Sequence, residues 1–181
     1  ESCLPGNTMH EVLSRAARIQ LAIFDVDGVM TDGRLYFGND GNEVKSFHIR
    51  DGQGIKLLLD SGVEVAVISG RRAVSVERRM ADLGIRHVWL GIHDKLAVLQ
   101  DLLTQLGLSA DQAAYTGDDL IDLAVMRRVG LAIAVQDADP FVKQHAHWQT
   151  PSRGGRGAVR EVCELLLEAR GQLAAARERY L

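Results

Sequence analysis

The chain has 181 residues, 46% of them hydrophobic and 25% charged, with a formal charge of −3. That composition describes a soluble globular chain with enough residues for one sizeable core; the weak net charge argues against nucleic acid as a partner, and no apolar stretch is long enough to span a bilayer. Cys3 and Cys163 stand far apart without metal-ligand spacing and the N-terminus shows no signal-peptide core, so a reducing, cytoplasmic setting is expected.

Residues 1–9 are set aside as a disordered extension or tag remnant, leaving residues 10–181 as a single domain. A short helix over 10–18 precedes an apolar run over 19–24, which reads as a buried strand and delivers Asp25 and Asp27 to its C-terminal end. Residues 34–48 alternate around Gly38, Asn39, Asp40 and Gly41, the signature of a β-hairpin. Residues 51–54 read as a turn, and a helix from Ile55 to Asp60 stops at Gly62. A second core strand over 63–68 ends at Ser69-Gly70-Arg71-Arg72, followed by a helix over 73–83 and a short strand over 87–90. Leu96, Leu99, Leu102, Leu103 and Leu106 predict a helix over 94–106, and Ser109 with Gln112 forms a capping box on one further turn. A strand over 113–116 enters Gly117-Asp118-Asp119; then come a helix over 120–129, a core strand over 131–135, a short helix opened by Pro140, an edge strand over 147–150 and a closing helix from 158 to about 170. Strands alternating with helices predict an α/β fold: a Rossmann-like parallel sheet with helices on both faces, and the hairpin projecting after the first strand.

Two carboxylates placed two residues apart raise each other's pKa unless a cation or a proton is shared between them, which directs attention to phosphoryl transfer. Ligands of open α/β sheets bind beyond the carboxyl ends of the strands. Four such ends carry polar residues here: Asp25 with Asp27, Ser69, the segment leading to Lys95, and Asp118 with Asp119. Singly, each has an ordinary reading as a turn, a strand terminator, a surface lysine or a helix cap. Their joint occurrence in this order is far more specific.

On Asp25-Val26-Asp27-Gly28-Val29, Ser69-Gly70, Lys95 and Gly117-Asp118-Asp119-Leu120-Ile121-Asp122, across residues 19–168, the chain resembles the haloacid dehalogenase superfamily of aspartate-nucleophile phosphatases. The resemblance implies that Asp25 attacks phosphorus to form an aspartyl-phosphate, and that Asp27 protonates the leaving alkoxide and then deprotonates the hydrolytic water. It implies Ser69 on a phosphoryl oxygen and Lys95 neutralising transition-state charge. It also implies Mg²⁺ held by Asp25, the backbone carbonyl of Asp27 and Asp118, with Asp119 and Asp122 orienting the surrounding shell. Only about forty residues separate Asp27 from Ser69, too few for a folded cap domain, so the likeness is to the capless subclass. Such relatives close their sites by assembly, and a homotetramer with residues 34–48 at the interface is expected.

Phe47-His48-Ile49-Arg50-Asp51-Gly52 and Gly154-Gly155-Arg156-Gly157-Ala158-Val159-Arg160-Glu161 narrow the likeness to a group that dephosphorylates an eight-carbon keto sugar acid of lipopolysaccharide synthesis. An anionic sugar phosphate would then be contacted by Asp27, Lys95, the loop His48, Ile49, Arg50, Asp51 and Gly52, and by Lys56, Arg71 and Arg79, the guanidinium groups suiting a carboxylate. The glycines around Arg156 are expected to make a flexible tail that reaches a neighbouring subunit's site. A phosphatase of a nine-carbon keto sugar acid and a non-catalytic tetramerisation module of the same fold are the alternatives. A sugar phosphomutase would need a cap to keep water from the aspartyl-phosphate.

Overall fold

The computed structural model describes residues 7–181, and the expectation for residues 1–6 lies outside them. Thr8 accepts from the Glu11 amide and the Glu11 carboxylate accepts from Thr8 in return, a capping box on helix α1 (Met9–Ala16). Thr8 and Met9 therefore belong to the fold rather than to an extension.

Strand β1 (Leu21–Phe24) is buried along its whole length. It leads to β2 (Tyr36–Phe37) and β3 (Glu43–Val44), which among the described residues pair only with each other, as a separate antiparallel hairpin. The chain then alternates through α2 (Ile49–Asp60), β4 (Glu64–Ser69), α3 (Val74–Leu83), β5 (His87–Leu90), α4 (Lys95–Leu106), β6 (Ala113–Gly117), α5 (Leu123–Met126), β7 (Leu131–Ala134), α6 (Pro140–Gln144), β8 (Trp148–Gln149), α7 (Ala158–Ala169) and α8 (Leu173–Glu178). Six strands form one parallel sheet in the order β5-β4-β1-β6-β7-β8. Every residue of β1, β6 and β7 is buried, as a parallel sheet covered on both faces requires. Side chains such as Leu21, Ile23, Phe24 and Ile68 are fully buried, each stabilising the fold by roughly 1.5–3 kcal/mol. Among the described residues no helix is long and apolar enough to cross a membrane.

Two expectations are corrected by packing. Residues 51–54 are not a turn: α2 starts at Ile49, capped by the His48 side chain, and runs straight through Gly52 and Gly54. Those glycines set distances between elements, since a Cβ on Gly52 would lie 2.3 Å from the Arg79 guanidinium and one on Gly54 3.1 Å from the Arg160 Cα. The helix expected over 120–129 is instead a 3₁₀ turn, Leu120–Asp122, followed by the short α5. Helix α8, beyond the expected end of α7, was not anticipated.

The sheet order places the site. Phe24 lies between Val67 of β4 and Thr116 of β6, so Asp25 emerges level with the ends of both neighbours. From β1 the chain reaches β4 and β5 on one side and β6, β7 and β8 on the other, and a crevice opens where connections diverge.

Candidate active site

Asp25 extends the ladder by one bond, its amide donating to the Thr116 carbonyl at 3.1 Å. The chain then turns sharply, with the amides of Val29, Met30 and Thr31 all folding back onto the Val26 carbonyl and Gly28 at a φ of 82°. Glycine is required at 28 for a second reason: a Cβ there would stand 1.9 Å from the Asp118 carboxylate. The turn therefore lets a carboxylate from β6 approach the one from β1.

A cleft of about 350 Å³ opens at these strand ends, lined by Asp25, Asp27, Ser69, Lys95, Asp118 and Asp119 together with Arg71 and His93. Lys95 is the first residue of α4, which Asp94 caps through the Ala97 amide. Its buried ammonium donates to Asp122 Oδ1 at 2.9 Å and to Tyr115 Oη at 3.0 Å, and lies 3.2 Å from Asp25 Oδ1. Burial works against the charge on Lys95, but the carboxylates of Asp25 and Asp122 outweigh it and raise the pKa. The Ser69 hydroxyl, buried at the end of β4, accepts from the Arg71 amide at 3.3 Å and keeps its own proton to donate.

Three carboxylates, Asp25, Asp118 and Asp122, present oxygens within 4.8 Å of one another. Burial, reinforced by the charge of Asp122, pushes the Asp25 carboxyl up to about 7, and burial with the charge of Asp25 pushes Asp118 up to about 8. One ammonium does not balance this charge. A hard divalent cation would, and the donor set decides where it fits. Both oxygens of Asp122 are taken, Oδ1 by Lys95 and Tyr115, Oδ2 by the amides of Asp118 and Asp119 at 3.0 and 3.2 Å. Among the described residues no donor reaches the Asp118 carboxylate or the Asp27 carbonyl. Asp25, Asp118 and that carbonyl thus form the open all-oxygen set, and Asp122 fixes the loop and the lysine beside it. Asp119 caps the 3₁₀ turn through the Leu120 amide at 2.7 Å.

Sequence reasoning missed Lys45, whose ammonium lies 2.5 Å from Asp27 Oδ1, and Tyr115, whose hydroxyl donates to Asp122 at 2.5 Å. Of the expected substrate contacts, Asp27, Arg71 and Lys95 line the cleft, whereas His48, Ile49, Arg50, Asp51, Gly52, Lys56 and Arg79 do not. Asp51 points instead at the first turn of α7, accepting from the Arg160 amide at 3.0 Å, and Gly52 is a packing point for Arg79. Ile49, Arg50 and Lys56 are exposed on α2.

The glycines before Arg156 do not make the flexible segment expected of them. Gly154 and Gly155 are clamped to the turn after β1, the Gly155 amide donating to the Val29 carbonyl and the Gly154 amide to Asp137, each at 2.9 Å. A Cβ on Gly154 would lie 1.7 Å from the Gly28 carbonyl oxygen, and one on Gly155 2.4 Å from the Thr31 carbonyl carbon. These glycines buttress the acidic turn. Arg156 itself faces a second hollow, of about 330 Å³, shared with Asp32, Tyr36 and His48.

A family model described as haloacid dehalogenase-like hydrolase matches residues 90–162. The chain is 51% identical over 171 residues to the 3-deoxy-D-manno-octulosonate 8-phosphate phosphatase of Yersinia pestis, covering 94% of this chain and 91% of that one. It is 50% identical over 172 residues to the protein of the same name from Escherichia coli K12, covering 95% and 92%. Among solved structures, the 3-deoxy-D-manno-octulosonate 8-phosphate phosphatase of Moraxella catarrhalis, in complex with a magnesium ion, a phosphate ion and a KDO molecule, matches with a TM-score of 0.94 and 38% identity, covering 96% of this chain and 100% of that one.

Proposed function

Because the chain belongs to the haloacid dehalogenase-like hydrolases, in the family of 3-deoxy-D-manno-octulosonate 8-phosphate phosphatases, we propose that it hydrolyses 3-deoxy-D-manno-octulosonate 8-phosphate to the free sugar acid and phosphate. The observation that carries the proposal is the convergence, in one cleft, of the buried Asp25 carboxylate with Lys95, Asp118 and Asp27. Asp25 attacks phosphorus as the bond to the sugar oxygen breaks, and Asp27 gives its proton to that departing oxygen. Asp27 then takes a proton from water, which cleaves the aspartyl-phosphate, releases phosphate and restores Asp25. Lys95, held in place by Asp122 and Tyr115, and the Ser69 hydroxyl hold the phosphoryl oxygens as charge develops on them. Mg²⁺, which Asp25, the Asp27 carbonyl and Asp118 would hold, supplies the positive charge that lets an anionic nucleophile meet an anionic phosphate. Arg71 brings a guanidinium to the same cleft for the sugar's carboxylate.

A cytoplasmic location, at a step of lipopolysaccharide precursor synthesis, is part of the same proposal. A homotetramer is part of the proposal, supported by a cleft without a cap and by a hairpin that exposes Leu35, Phe37 and Val44. Arg50, Lys56 and Arg156, exposed outside the cleft of their own chain, are cations that assembly would bring to a neighbouring cleft.

Phosphate release from a panel of sugar phosphates in Mg²⁺ tests the substrate. Turnover of the octulosonate ester should exceed that of unrelated sugar phosphates by at least about tenfold in kcat/KM. Equal turnover across the panel would remove the assignment, and preference for a nine-carbon keto-acid phosphate would move it to that ester.

A further inference from the structure

Lys45 follows β3 on a hairpin whose neighbouring side chains are largely exposed, yet its own side chain is only 2% exposed. Ordering and desolvating a lysine is unfavourable by itself, so the partners matter. The ammonium lies 2.5 Å from Asp27 Oδ1 and 2.6 Å from Glu43 Oε1, while Glu43 Oε2 accepts from Arg71 at 2.6 Å. Four alternating charges thus run from Asp27 to Arg71, both of which line the cleft. Lys95 serves Asp25 and Asp122 but not Asp27. Among the described residues, Lys45 is the one hydrogen-bond donor to the Asp27 carboxylate.

We propose that Lys45 is a positioning residue for the leaving-group step: it holds the Asp27 carboxyl group where the departing oxygen needs a proton, and Glu43 and Arg71 hold Lys45 in turn. The inference deepens the phosphatase reading and rests on it. In the step concerned, the Asp25 oxygen bonds to phosphorus, the bond from phosphorus to the sugar oxygen breaks, and the proton passes from Asp27 to that oxygen. Lys45 neither gives nor takes a proton. The side chain comes from the hairpin, so displacement of the hairpin would also displace the group that Asp27 depends on.

The discriminating measurement compares kcat/KM, which reports events through departure of the leaving group, for two substrates. The sugar phosphate expels an alkoxide that needs a proton, whereas p-nitrophenyl phosphate expels a stable phenolate that does not. Lys45→Met should lower kcat/KM by about 10- to 100-fold on the sugar phosphate and by less than about threefold on p-nitrophenyl phosphate. Lys45→Arg, which keeps the charge, should recover most of that loss. An equal fall on both substrates, or no fall on the sugar phosphate, would overturn the inference. If Lys45→Met does not fold, Glu43→Gln, which loosens Lys45 without removing it, should show the same asymmetry at a few-fold size, and a symmetric loss there would overturn it as well. Wild-type Mg²⁺-dependent phosphate release is measured first; its absence would sink the phosphatase reading itself.

Discussion

Tyr115 illustrates how single atoms set this site. Its hydroxyl is buried among charges, donating to Asp122 while accepting from Lys95, and burial with those nearby carboxylates raises its pKa well above the ordinary value. The phenol is thus a third anchor for the Lys95 ammonium, at 3.0 Å, beside Asp122 at 2.9 Å and Asp25 at 3.2 Å. Tyr115→Phe should therefore lower kcat about tenfold and reduce stability by roughly 1.5–3 kcal/mol, since the hydroxyl's hydrogen bonds are to charged groups. Steady-state kinetics beside urea unfolding checks this, and an unchanged kcat would mean that the two carboxylates orient Lys95 unaided. The sequence made the acids and the hydroxyl at the strand ends readable, because an apolar run that stops at Asp25, Ser69 or Asp118 marks its own carboxyl end. Tyr115 and Lys45 carried no such mark. At strand period Tyr115 reads as core, which it also is, and a lysine in a polar hairpin gives no sign that it folds back onto Asp27.

At the scale of elements, the two segments that narrowed the family resemblance prove to touch. Asp51 in the first turn of α2 accepts from the backbone at the start of α7, a capping contact between helices more than a hundred residues apart in the chain. Its other oxygen, Oδ2, has no hydrogen-bond partner, and burial raises its pKa above 3.8 despite the bond from Arg160. A carboxyl that is harder to ionise folded than unfolded makes the native state bind protons more tightly. Its contribution to stability is therefore greatest at low pH and is lost as pH rises from about 3.8 through the folded value. Asp51→Asn keeps an acceptor and cannot ionise, so the variant should lack that part of the wild-type decline. Urea unfolding of both proteins at a series of pH values from 4 upward measures the difference, and parallel stability curves would contradict this account of Asp51. The glycines of both segments misled sequence reasoning for one reason. Gly52 and Gly54 resemble a turn and Gly154 and Gly155 a flexible tail, but each marks a place where another element comes too close for a Cβ. Single-sequence periodicity carries no information about such distant neighbours.

For the whole molecule, the alternation of strands and helices made the parallel sheet legible, and the strand order follows from crossover connections on either side of β1. Subunit assembly lies further from the sequence. The hairpin leaves Phe37 62% and Val44 60% exposed, unusual for large apolar side chains on a monomer's projecting ribbon. Light scattering should give a mass about four times the 19.8 kDa of the chain, and replacing Phe37 and Val44 together by Asp should yield smaller species with weaker activity. A monomeric wild type would remove the tetramer from the proposal. The central claim is that the buried acid after β1 carries the phosphoryl group with a divalent ion beside it. The most direct trial is phosphate release by wild type and Asp25→Asn, with Mg²⁺ and after chelation, at matched melting temperature. The account predicts turnover only in wild type with Mg²⁺, and a loss of at least about 10³-fold in Asp25→Asn. Retained turnover in a folded Asp25→Asn protein would contradict it.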